Sequence, residues 1–200
     1  MSVVQACIGS GNGKVGRIPT FSLPSRLTCP GASTWCIKHC YARRFVRLRA
    51  LCRMGYSRNL VLTWDTERFV STMLVEIPRG PSCFRIHVSG DFYAAEYAHA
   101  WERICIERPG IRFWAYTRSW AVPELQPALE RLKQLNNVVL YASTDITMPL
   151  PPEDWRVAFV EGDPRATGIK CREQNGLSDS CLNCRYCFAP NAGHVVFRVH

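Results

Sequence analysis

The first 64 residues contain no aspartate and no glutamate, yet they carry ten lysines and arginines. Residues 65–200 hold fifteen bases and sixteen acids, so the whole net charge of +9 belongs to the N-terminal third. That absence excludes local charge balance and favours an anionic partner there: a nucleic acid, a phosphorylated substrate or an anionic cluster. A solvated surface is the plain alternative. The chain also lacks any apolar run approaching the roughly eighteen residues of a membrane helix. Its start, MSVVQACIGSG, has no basic-then-apolar signal pattern, so no membrane partner and a cytoplasmic location are expected. The glycine-rich stretch GSGNGKVGR does not complete a phosphate-loop motif, which leaves a flexible arm or ligand lid as its reading. No catalytic triad or paired-carboxylate hydrolase motif stands out.

What the chain has in excess is cysteine, eleven in 200 residues. In a reducing compartment, clustered cysteines point to metal ligation more than to disulfides. Cys7, Cys52, Cys83 and Cys105 stand alone and read as small buried hydrophobes. The other seven form two groups, Cys29/Cys36/Cys40 and Cys171/Cys181/Cys184/Cys187. Cys181-x2-Cys184-x2-Cys187 resembles the run that wraps ferredoxin clusters, and Cys171 supplies a fourth thiolate. A site for four-iron, four-sulfur clusters, one or two in number, is therefore expected, with tetrahedral zinc as the alternative metal. Cys29-x6-Cys36-x3-Cys40 offers only three thiols. Its fourth position is either open to an exogenous ligand or filled by a cysteine from 171–187.

The expected organisation is an irregular arm over 1–20, an α/β body over 21–165, and a cysteine-rich metal module over 166–200 packed on that body. TFSLP (20–24), CFRIHVSGD (83–91), IRFWAYT (111–117), NVVLYAST (137–144) and RVAFVEGD (156–163) read as strands, with NLVLTW (59–64) as a further candidate. Helices are expected over 41–54, over 65–77 with Asp65 as cap, over 94–108, and from Pro123. Strands alternating with helices predict a parallel sheet, either a partial α/β barrel or an open one. Polar pairs end four strands: Ser89 and Asp91, Thr117 and Arg118, Ser143 and Asp145, Glu161 and Asp163. In such folds the C-terminal strand ends build the site.

A three-cysteine loop after the first strand, an aromatic beside its last cysteine and the glycine turn VSGD (88–91) together resemble the radical S-adenosylmethionine superfamily. The spacing departs from that superfamily's C-x3-C-x2-C. The resemblance implies that Cys29, Cys36 and Cys40 hold a cluster whose open iron binds S-adenosylmethionine. It also implies that Ser89, Gly90 and Asp91 contact that cofactor, and that an electron donor is needed. Over residues 10–190, the wording TFSLP…TCPGA…CYA…SGDFY…YTRS resembles a phage-encoded family described as gene product 88-like, which implies a host-cell cytoplasm. Arg43, Arg44, Arg47, Arg49 and Arg53, with Arg118, are candidates to hold an anionic substrate, and Tyr41, Phe45 and Tyr56 to stack bases. The expected function is an iron–sulfur enzyme acting on a nucleic acid or nucleotide. A metal-stapled nucleic-acid-binding protein and an electron-transfer or redox-sensing protein are the alternatives.

Overall fold

In the computed structural model, which describes residues 5–80 and 82–199, alternation along the strands sorts side chains onto two unequal faces. Along β3 (Cys83–Ile86), Phe84 and Ile86 enter one apolar core while Cys83 enters another. β4 (Arg112–Thr117) divides Phe113 and Ala115 from Trp114, and β5 (Val138–Ser143) divides Val138, Leu140 and Ala142 from Val139 and Tyr141.

The first core packs against helices. α3 (Ala50–Leu62), α4 (Thr66–Glu76), α5 (Ala95–Glu107) and α6 (Gln126–Lys133) send Leu60, Phe69, Met73, Trp101, Leu129 and Leu132 into it. Phe21, Phe69 and Trp101 meet with ring centroids 5.3–5.6 Å apart. Each fully buried ring of this kind stabilises the fold by about 1.5–3 kcal/mol. Asp65 caps α4 as expected, accepting from Arg68 N at 3.0 Å.

Among the described residues the sheet has eight strands in the order β1-β2-β3-β4-β5-β6-β8-β7, with β8 spanning Val195–Phe197. β1 (Ile8–Gly9) runs antiparallel to β2 (Thr20–Phe21); every other pairing is parallel. The sheet is open, with β1 and β7 (Ile169–Lys170) at its edges and β6 (Arg156–Val160) inside. The expected mixed α/β class with a mostly parallel sheet is what forms.

Four expectations are corrected. The stretch 59–64 is not a strand: it ends α3, because buried Asn59 accepts from Cys7 N at 2.7 Å and donates to Ser22 O at 2.9 Å. The helix expected over 41–54 is two, α2 (Tyr41–Arg47) and the start of α3, separated at an extended Arg49; Arg53 Nη1 donates to the Arg47 carbonyl that α2 leaves exposed. Pro123 opens a short 3-10 turn ahead of α6. The arm expected to be irregular contains β1, and the stretch 166–200 expected to pack on the body also adds to its sheet: β8 (Val195–Phe197) inserts between β6 and β7, and Phe188, Ala192 and Cys171 join the second core. Residues 1–4 of the expected arm and the Phe45 side chain lie outside what is described.

Candidate functional site

The second face of the sheet is covered by the N-terminal arm, the first cysteine loop and the segment between β7 and β8. Together they enclose a cavity of about 880 Å³ lined by all seven clustered cysteines. Cys83 and Cys105 are buried as expected for lone cysteines, whereas Cys7 and Cys52 are half-buried and line the same cavity.

The first loop is tied to the strand ends. Ser33 caps α1 (Thr34–Lys38), accepting from Cys36 N at 3.0 Å, and its hydroxyl donates to Asp145 at 2.6 Å. Arg118 Nη1 donates to the same Asp145 oxygen at 2.5 Å, and Thr147 bonds the other oxygen through N and Oγ1. Burial disfavours an ionised Asp145, but the bonds from Ser33 and Thr147, with Arg118, outweigh it and hold its carboxyl below the ordinary value. A Cβ on Gly31 would collide with the Arg118 carbonyl and stand 2.9 Å from Ser119 N, so only glycine lets the loop lie this close to the end of β4.

Ser89, Gly90 and Asp91 line the cavity beside this loop. Gly90 has φ +82°, and a Cβ there would meet Leu23 Cβ at 2.6 Å and Thr28 Oγ1 at 2.7 Å, so the turn braces the loop just ahead of Cys29. Asp91 accepts from Thr117 Oγ1, Phe92 N and Arg118 N at 2.5–2.8 Å. Burial still pushes its carboxyl up to about 6. Tyr41, after Cys40, donates to Val88 O at 2.5 Å.

The second set hangs from the sheet edge and the arm. Cys171 N donates to Val196 O at 2.8 Å, and Cys181, which opens α7 (Cys181–Cys184), donates through its N–H to Lys14 O at 2.8 Å. Arg185 takes a left-handed conformation (φ 58°) that turns the chain so that Cys187 faces Tyr116, with which it hydrogen-bonds.

Burial raises the thiol of Cys29 to about 12, with nearby Asp91 adding to it, and raises Cys187 to about 12. Cys36 and Cys181 are also pushed up by burial, opposed by Arg118 and Arg85 respectively. Bare, these thiols are protonated at neutral pH. All eleven cysteines are free, and among the described residues no group of three His, Cys, Asp or Glu side chains is arranged to hold a metal ion.

Of the arginines expected to bind anions, Arg118 lines the cavity but is engaged by Asp145 and Met148 Sδ. Arg43, Arg44 and Arg47 are exposed on α2 and do not line it. Arg49 does line it, and three lining arginines were not among those expected: Arg85, Arg172 and Arg198. Arg85, in the middle of β3, is 9% exposed and packs over the Tyr116 ring at 5.1 Å, and its Nε donates to His87 O at 3.1 Å. A lone arginine in the apolar run CFRIHV was its only signal in the sequence.

Fold and site thus define an α/β protein with an open, mostly parallel sheet and a thiol-lined cavity on the face away from the helices. The chain belongs to the gene product 88 family, whose profile matches residues 5–189. It is similar to the Gene 88 protein of Mycobacterium phage L5, with 31% identity over 88% of this chain and 85% of that protein. Against the Gene 88 protein of Mycobacterium phage D29, identity is 30% over 88% of this chain and 81% of that protein. No solved structure matches. The resemblance to a phage family is thereby established. No helix among the described residues is long and apolar enough to cross a membrane.

Proposed function

We propose that this protein is an iron–sulfur protein of the infected cell's cytoplasm, acting on an anionic substrate that is a nucleotide or nucleic acid. The observation that carries this reading is the convergence of both cysteine groups, 131 residues apart between Cys40 and Cys171, on one cavity. A single zinc ion with Zn–S bonds of about 2.3 Å needs its sulfurs roughly 3.8 Å apart. No such three-donor group exists among the described residues. A four-iron cluster takes each thiolate on a different iron, so its thiols need not lie that close together. A coordinated thiol is deprotonated outright, so loading these raised thiols would release protons and strengthen as pH rises.

Bound there, a cluster would supply single electrons, drawn from a separate donor. Three thiols at Cys29, Cys36 and Cys40 leave one iron for an exogenous ligand, and S-adenosylmethionine is the ligand that the superfamily resemblance suggests. The basic ridge of α2 and α3, where Arg43, Arg44, Arg47, Arg53 and Arg58 are exposed, supports the anionic substrate. The same ridge favours the second reading, a nucleic-acid-binding protein without catalysis.

The test is anaerobic purification of the full chain, with iron, sulfide and zinc counted and EPR recorded after reduction, with and without S-adenosylmethionine. Iron with sulfide, and a signal altered by S-adenosylmethionine, are expected; zinc without iron sinks the proposal. Cys36→Ala should abolish the S-adenosylmethionine effect and leave the signal of thiols 171–187. Equal loss of both signals would mean one shared site.

A further inference from the structure

Arg85 carries a full positive charge at a place where water scarcely reaches. Removing a cation from water costs several kcal/mol unless an anion faces it. The buried or half-buried cations nearby have such partners: Arg118 with Asp145, Arg165 with Asp163, and Lys14 with Glu173 at 3.5 Å. Among the described residues no carboxylate pairs with Arg85. Its neighbours are the His87 carbonyl, the Tyr41 hydroxyl, the Tyr116 ring and the thiols of Cys181 and Cys187, none of which, with the thiols protonated, carries a compensating charge. A second observation points the same way. His87 Nδ1 and Ser89 Oγ belong to cavity-lining side chains that are 3% and 4% exposed, and neither atom has a hydrogen-bond partner among the described residues.

We infer that the cavity binds a nucleotide whose phosphate sits on the Arg85 guanidinium. Charge and shape favour a phosphate over a carboxylate. Arg172 and Arg198 also line the cavity, outside the Lys14–Glu173 and Arg118–Asp145 pairs, with Asp91 as the remaining lining carboxylate, an excess suited to a group with more than one negative charge. Trp35, Tyr116, Tyr186 and Phe197 supply aromatic wall for a base. A cavity of about 880 Å³ lies within the usual range for small-molecule sites, roughly 300–1,000 Å³. The inference deepens the anionic-substrate half of the proposed function and does not require the iron. Metal-bound thiolates at Cys181 and Cys187 are the rival source of negative charge for Arg85, so the test separates the two.

Metal-free, reduced full-length protein is titrated calorimetrically with adenosine 5′-monophosphate, inorganic pyrophosphate and uncharged adenosine. The two phosphate compounds should bind and adenosine should not. Arg85→Gln should weaken binding at least tenfold and Arg85→Lys by less, while Arg79→Gln, at an exposed position that does not line the cavity, leaves it unchanged. Arg85→Gln should also melt no lower than the parent without ligand, because it removes an unpaired buried charge; that outcome excludes misfolding as the cause of lost binding. Equal affinity in the parent and Arg85→Gln overturns the inference, as does absence of phosphate binding in metal-free and metal-loaded protein alike. Loss of iron from Arg85→Gln with nucleotide binding intact also overturns it, in favour of the thiolates. Arg85-dependent binding by a protein that never holds iron upholds the inference and removes the iron reading alone.

Discussion

Replacing Ser33 by alanine tests whether the first cysteine loop is fastened to the sheet by one hydroxyl. That oxygen caps α1 at Cys36 N and donates to an Asp145 side chain that is almost fully buried. Losing the cap costs about 1 kcal/mol. Losing a hydrogen bond to a charged group costs about 1.5–3 kcal/mol, and the low end applies because Arg118 and Thr147 still bond Asp145. Ser33→Ala should therefore lower the unfolding free energy by about 2–3 kcal/mol, read from urea denaturation of the reduced, metal-free chain. A double-mutant cycle with Asp145→Asn isolates the second bond and should return a coupling of about 1 kcal/mol. Iodoacetamide should also modify Cys36 faster in Ser33→Ala under native conditions, since the helix that carries it opens locally. A loss below about 0.5 kcal/mol with no coupling would refute the tether.

Gly31→Ala should cost about 3 kcal/mol or more through collision with the Arg118 backbone, whereas Gly13→Ala, whose Cβ meets nothing within 4 Å, should stay within about 0.5 kcal/mol; urea midpoints compare them. Two buried groups give opposed pH slopes. Burial, with Arg85 adding to it, lowers His87 from 6.5 to about 3, so its contribution is full above pH 6.5 and falls as pH drops, by about 1.4 kcal/mol per unit. Asp91 is raised from 3.8 to about 6, so its contribution is full below 3.8 and is lost as pH rises through 6. Between about pH 6 and 4 the slopes of these two groups cancel. Asp91→Asn should therefore lose stability more steeply than the parent on acidification across that window, and His87→Gln should gain relative to it; parallel profiles would contradict both assignments.

Much of the sheet was legible because β4 and β5 alternate over six residues each, and Asp65 sat where a cap belongs. The grouping of seven cysteines was legible too, as were the polar strand ends at Ser89, Asp91, Arg118 and Ser143, whereas Glu161 and Asp163 pair with Lys170 and Arg165 and do not line the cavity. The stretch 59–64 misled because a short apolar run fits a strand or a buried helix turn equally well, and contacts to Cys7 and Ser22 decided for the helix. Arg85 was invisible for a different reason. Its burial depends on a segment about a hundred residues later in the chain, and local pattern carries no record of which face a distant loop will cover. The insertion of β8 was hidden likewise, since three residues, Val195–Phe197, make too short a signal to compete with their surroundings.

That insertion also sets an order of events during synthesis. β7 pairs only with β8, so Ile169 and Lys170 have no place in the sheet until residues 195–197 have been made. Until then Cys171, Cys181, Cys184 and Cys187 ride on a loop attached at one end, while the helices and strands before residue 160 can already have folded. The cavity's wall is thus incomplete until residues 195–197 have been made. Whatever the cavity takes up can enter through a wall that is still missing, and a chain stalled a few residues short of 195 would leave that wall permanently open.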